Sequence, residues 1–340
     1  MKHIGLDVHS TTTSATVRNH VGKILCRAQF ASTRGELARF MTSIKGPKRV
    51  ALEESQMADW VTRALAPLAD EVIRCEPRRN RLISKSEDKC DRNDADALSD
   101  LLYLNRLKQV HHPAEAYRAL RESVRGYLIA SRELTRAKNR LKAFFLFNGS
   151  HETGDAVYLV RRREENLKRV LQLGANVELA RLLYRHMDHC RTIKAEHIRL
   201  VRQLAKPFKP LVDLLMTIPA IGLISAYTLV AYLEDGWRIT NKRQLWKYAG
   251  LSLRRHESNN FGIQGASYSG NRMIKRVLMS AAITVVSHEE KNSLTDHWER
   301  WIRQGADAKR ARRNLARKIA VIVHCVLRTR KEYQNEPVTA

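Results

Sequence analysis

Acidic residues are what this chain is short of. Against 61 Lys and Arg stand only 35 Asp and Glu, a formal net charge of +26 over 340 residues and a pI near 10.3. That imbalance exceeds what solubility requires and points to a polyanionic partner, nucleic acid first and an anionic membrane second. A second lack weakens the membrane option. No apolar run approaches the roughly 20 residues of a spanning helix; the best candidate, Ile221 to Leu233, stops at Glu234-Asp235. The opening MKHIGLDVHS holds no apolar signal core, so nothing suggests export. Cysteine is also scarce: Cys26, Cys75, Cys90, Cys190 and Cys325 are odd in number, scattered, and never spaced C-x-x-C. That argues against a disulfide framework and a structural zinc site, and makes a reducing cytoplasm the simplest home. No internal repeat or low-complexity tract appears.

In so basic a chain, four acids in the first hundred residues stand out. Asp7 in HIGLDVHS and Glu53 in RVALEES each follow a short apolar run, near the end of an expected strand. Asp91 and Asp94 in KCDRNDADAL are three apart at an expected helix start, which puts both on one face. Acids from two strand ends and one helix are what a pair of Mg²⁺ ions needs. Hard cations take oxygen ligands, and Mg²⁺ completes its shell with water and substrate phosphates. Two such ions clamp both sides of a phosphodiester under attack. Each acid alone reads more simply as a solvated, capping or helix-dipole residue, and Asp96 and Asp100 show that this helix has acids to spare. The four together, in a chain this basic, favour a DNA-processing enzyme.

The length suffices for two domains and a sizeable core. Residues 3–8, 12–18 and 24–30 read as strands, with Asn19-His20-Val21-Gly22 as a turn between the last two. A helix is expected over 33–45, with Thr33 as N-cap and Glu36 three residues on. A buried strand follows at 48–52, a helix at 57–68, a short strand at 71–74 and a helix at 91–104. Three strands followed by alternating helix and strand is the order of an α/β RNase H-like (RuvC-like) domain. Pro113 closes this region. From 114 to about 147, and again from about 176 to 204, apolar residues recur at helical spacing, implying an antiparallel helical arm. Eight cations from Arg118 to Lys142 lie along its first helix; they read as a nucleic-acid contact, or as the solvated or self-associating face of a coiled coil. After Pro207 and Pro210, Ile218-Pro219-Ala220-Ile221-Gly222 reads as a helix-hairpin-helix-like turn, able to offer backbone amides to a phosphate. A Gly-, Ser- and Asn-rich loop is expected from His256 to Asn271. An apolar helix follows from Met273 to Val286, then a strongly basic one from Ala308 to Arg330.

Gly5-Leu6-Asp7-Val8-His9, the strand-end Glu, Lys89 to Ala95, Ile218 to Gly222, Gly250-Leu251 and Gly270-Asn271-Arg272 occur in that order. The series resembles the DEDD transposases of bacterial insertion sequences, the IS one-ten type and its relative IS eleven-eleven. The resemblance implies three parts: a RuvC-like metal-binding domain (1–112), a coiled-coil arm (113–206) and a mostly α C-terminal domain carrying a serine loop (207–335). It implies Asp7, Glu53, Asp91 and Asp94 as the metal-binding acids and Ser267 as the nucleophile. Two departures leave alternatives open: Glu54 beside Glu53, and Ser269 beside Ser267, because the residues around each differ from the family's usual runs. The resemblance also implies donor and target duplex DNA and a structured guide (bridge) RNA from the element. A dimer or tetramer in the bacterial cytoplasm at the nucleoid completes the expectation.

A serine hydroxyl is a weak nucleophile and needs a nearby metal or base. The expected chemistry is attack of Ser267 on a DNA phosphate, giving a covalent phosphoserine that conserves the bond for rejoining. Two other readings remain: a RuvC-like junction-resolving nuclease using activated water, and a non-catalytic scaffold.

Overall fold

The computed structural model describes residues 1–76, 91–150, 154–258, 261–266, 270–287 and 291–335, with backbone alone at 91–92, 254–258 and 261–266. The chain folds as two compact units, Met1–His112 and Pro113–Ala340.

In the first unit, strands β1 (Lys2–Val8), β2 (Thr12–Arg18), β3 (Ile24–Ala31), β4 (Lys48–Glu53) and β5 (Glu71–Cys75) form one sheet of order β3-β2-β1-β4-β5. β1 pairs antiparallel with β2, and β2 with β3, while β1–β4 and β4–β5 are parallel. Such a mixed sheet, followed by a mostly helical remainder, is compatible with the RNase H-like expectation.

Alternation along the strands sorts their residues onto two faces. Ile4, Leu6, Ala15, Val17, Val50 and Leu52 form a core with Leu37 and Met41 of α1 (Arg34–Ser43) and Val61 and Leu65 of α2 (Ala58–Leu65). Each of the larger of these side chains contributes roughly 1.5–3 kcal/mol by leaving water. Thr33 caps α1 as expected, accepting from the Glu36 amide at 3.2 Å. The other face carries α3 (Asp91–Tyr103), with Leu102 meeting Ala51 and Ile73.

The second unit begins with α4 (Glu115–Phe147), about 50 Å long at 1.5 Å per residue. After α5 (Arg163–Gln172) the chain returns along α6 (Val177–Ala205). Early α4 meets late α6 through Leu120, Val124 and Val201. Late α4 meets early α6 through Leu141, Phe145, Ala180 and Tyr184, so the pair is antiparallel. The remainder is α7 (Lys209–Met216), α8 (Leu223–Leu233), α9 (Lys242–Tyr248), β6 (Leu253–Ser258), β7 (Phe261–Ala266), α10 (Arg272–Ser287), α11 (Ser293–Arg303) and α12 (Ala308–Thr329). No described helix is long and apolar enough to cross a membrane.

One expectation is corrected. Much of the stretch read as a loop, His256 to Asn271, belongs to an antiparallel hairpin, with Leu253 opposite Ala266 and Ser258 opposite Phe261. Its Gly and Ser content hid a ladder that rests on backbone hydrogen bonds rather than on an apolar alternation.

Candidate active site

Asp7 lies one residue from the end of β1 and Glu53 ends β4. The parallel register pairs Gly5 with Ala51 and Leu6 with Leu52, so Asp7 and Glu53 come next, side by side. Both share a face with Gly5 and Ala51, the face that α3 covers.

Gly5 shows how closely α3 sits. A Cβ there would lie 2.3 Å from the Ala95 carbonyl oxygen and 2.5 Å from the Ser99 nitrogen, so only glycine admits the helix. Further contacts fix its direction. Thr16, opposite Gly5, donates to Asp96 at 2.6 Å, and Arg18, opposite His3, donates from Nε to Ser99 Oγ at 2.9 Å. Tyr103 meets the His3 ring edge-on at 5.6 Å. The C-terminus of α3 therefore lies over the start of β1, and its first turn over the end of β1. From Ala95 back to Asp91 is about 6 Å of helix, and from Gly5 on to Asp7 about 6.6 Å of strand. The backbone thus starts α3 level with Asp7.

The acids differ in their surroundings. The Asp7 side chain is 17% exposed and accepts from His9 Nε2 at 3.0 Å. Glu53 is half-buried, and Asp94 is exposed. The Asp91 side chain lies outside the described residues, as do Ser267 and Ser269. Glu54 turns to the sheet edge, where Arg74 Nε reaches it at 3.3 Å. The spare acids of α3 have partners: Asp96 binds Arg27 through Nε and Nη2, and Asp100 lies 3.6 Å from Arg18. Burial alone would raise the Asp96 carboxyl, but hydrogen bonds from Arg27 and Thr16 outweigh it and hold it below the usual range. Among the described residues, no three His, Cys, Asp or Glu side chains stand close enough to hold a metal ion.

In the second unit, the chain that carries the two serines leaves and returns at one point. α9 ends on Gly250 at φ +66°, where the Leu251 and Gly250 amides donate back to Trp246 and Lys247. Gly270, at φ +124°, approaches so closely that a Cβ would lie 2.5 Å from Gly250 Cα. Asn271 then donates from its backbone to the Tyr248 carbonyl at 2.6 Å and from Nδ2 to the Tyr248 hydroxyl at 3.1 Å. Its Oδ1 caps α10 through the Met273 and Ile274 amides. Tyr248 did not stand out in the sequence, because its hydroxyl acts across 23 residues.

The two halves match known families separately. Residues 4–147 match the DEDD transposase family of IS110 type. Residues 212–297 match the family described as Transposase IS116/IS110/IS902. The chain belongs to the IS110 family of transposases. It is therefore an enzyme that cuts and joins DNA in the movement of an insertion sequence. The transposase for insertion sequence element IS1328 of Yersinia enterocolitica is 28% identical to this transposase over 302 residues, covering 85% of each chain.

Proposed function

We propose that this transposase cleaves and rejoins DNA with a RuvC-like, RNase H-type acid set carried by the N-terminal unit and a serine carried by the C-terminal unit. The observation that carries the reading is the shared position of Asp7, Glu53 and the first turn of α3 at one end of the sheet. Asp7, Glu53, Asp91 and Asp94 would hold Mg²⁺. The donor set fits, being all carboxylate oxygen without soft ligands, and family membership itself favours a divalent metal. When bound, the metal stabilises the negative charge that develops on the attacked phosphate and on the serine oxygen. His9, at 3.0 Å, orients the Asp7 carboxylate.

The Ser267 hydroxyl attacks phosphorus; a Ser–O–P ester forms as the strand's own P–O bond breaks. The hydroxyl of a second strand later reverses the exchange. The Gly250–Gly270 crossing and the Asn271–Tyr248 bonds fix the chain on either side of the serine segment, so that only Tyr268 and Ser269 separate Ser267 from the fixed Gly270. A structured RNA from the element supplies sequence specificity, and at least two subunits bring two cleaving centres together; the resemblance supports both.

The test is a denaturing gel of the purified protein with labelled junction DNA, Mg²⁺ and the element's flanking RNA. A covalent protein–DNA band in wild type, absent in Ser267→Ala and kept in Ser269→Ala, is expected. Free cleaved ends without that band in all three proteins would instead mean hydrolysis by water. An Asp7→Ala, Asp91→Ala pair should abolish cleavage while DNA binding persists.

A further inference from the structure

Beside the acids, on the same face of the sheet, the first unit holds a cavity of about 140 Å³ between β2, β3 and α3. Ser14, Thr16, Arg27, Gln29 and Ala95 line it. Its place is set by register: Ser14 is the direct antiparallel partner of Asp7, and Gln29 of Ser14. Cross-strand partners share a face, with Cβ atoms roughly 5 Å apart. The cavity therefore opens one strand away from Asp7.

Polar side chains share its lining with Ala15, Ala28 and Ala95, and two of them, Thr16 and Arg27, also hold Asp96 of α3. Ser14 is 8% exposed, and no described residue hydrogen-bonds its hydroxyl. Its oxygen is not one of the buried polar atoms without a partner; Ser14 lines the cavity, where a ligand oxygen can take the place of water at the hydroxyl. Arg27 is preorganised: Asp96 takes its Nε and Nη2, at 2.9 and 2.7 Å, and Thr16 in turn holds Asp96. This grip fixes the guanidinium plane and leaves the Nη1 protons without a described acceptor. Gln29, on the outermost strand, adds an exposed amide. A hydroxyl, an amide and a fixed guanidinium edge make a donor set, the complement of phosphate oxygens.

We propose that this cavity is a subsite for a backbone phosphate of the nucleic-acid strand engaged at the acids, one neighbouring the scissile linkage. It would hold the strand in register, so that the scissile phosphate meets Asp7 and Glu53 rather than a neighbour. The proposal rests on the reading that a strand is cleaved at these acids, and goes beyond it by naming Ser14, Arg27 and Gln29 as positioning residues.

The test is binding of the full chain, in Ca²⁺ to suppress cleavage, to junction DNA carrying one uncharged methylphosphonate at each linkage near the scissile one in turn. Wild type should lose roughly tenfold in affinity at one linkage beside the scissile phosphate. Ser14→Leu fills the cavity. It should bind unmodified DNA roughly tenfold more weakly and show no further loss at that linkage, with losses elsewhere unchanged. Gln29→Leu, at an exposed position where folding is not at stake, should blunt the same linkage selectively. Variants that keep the wild-type profile, or a wild type indifferent to every linkage, would overturn the subsite. Failure of wild type to bind any of these DNAs would instead count against the cleavage reading on which it rests.

Discussion

His112, the last residue of the first unit, has its Nε2 atom buried without a hydrogen-bond partner among the described residues. Burial, then the nearby Arg74 guanidinium, lowers its pKa from 6.5 to about 4, with Asp59 opposing. The folded protein thus refuses a proton that the unfolded chain accepts. Between about pH 6.5 and 4 the unfolded state binds more protons, so stability falls as pH drops through this window and is level with respect to this group above it. The ring is only partly withdrawn from water, so the loss is at most roughly 2 kcal/mol. His112→Gln, neutral throughout, removes the term. Urea unfolding of both proteins at pH 7 and pH 4.5 should show the variant gaining on wild type by about 1–2 kcal/mol at the lower pH. Parallel pH curves would show that the ring is protonated in the folded state. Asp96 titrates the other way: its depressed carboxyl stabilises the fold above the ordinary carboxylate range, and that contribution goes only as pH falls below about 4.

At the scale of elements, the seat of α3 on β1 decides whether the acids meet at all. Gly5 sets that seat, because an added Cβ would strike main-chain atoms of Ala95 and Ser99 that no rotamer change can move. Gly5→Ala should therefore push α3 away, cost about 3 kcal/mol or more and abolish cleavage with all four acids intact. Thermal unfolding and cleavage assays, read beside Gly35→Ala, whose Cβ would meet nothing within 4 Å, would check this. A normally stable, active Gly5→Ala protein would mean that the helix packs otherwise.

The acid-bearing elements were legible in the sequence because short apolar strands and a helix start leave local signals, and β1, β2, β4 and α3 fall within a residue or two of expectation. What was not legible depends on distance along the chain. The choice between Asp94 and its neighbours Asp96 and Asp100 turns on Arg27 and Arg18, about 70 to 80 residues away. The cavity was foreshadowed only by the small polar residues Thr12, Ser14 and Thr16, alternating along a strand whose other face is core. The β6–β7 hairpin had one signal, Asn259-Asn260 between its strands, a residue type that two-residue turns favour. α11 had another in Asn292, which caps it in a reciprocal box with Thr295.

For the molecule as a whole, the question is where its charge is used. On α4 about half the expected contact residues are engaged within the chain: Arg118 with Glu115 and Glu122, Arg121 with Glu234, Arg136 with Glu133, and Lys138 over the Tyr158 ring. Arg125, Arg132 and Arg140 remain exposed, and Lys142 is half-buried. The start of α12 is different. Asp307 is its cap, accepting from the Lys309 and Arg310 amides, and Lys309, Arg310, Arg312 and Arg313 crowd the helix N-terminus, where cations oppose the dipole. A folding optimum would not place them there, whereas a phosphate backbone gains from both the dipole and the side chains. Replacing these four by Gln should leave the melting temperature unchanged or raised. It should also reduce the slope of log K against log salt for DNA binding by up to about 3.6, near 0.9 per lost phosphate contact. Titrations from low to moderate salt with wild type and the quadruple variant would measure both slopes. Equal slopes would move the DNA path away from α12 and leave the remaining arginines of α4 as the alternative track.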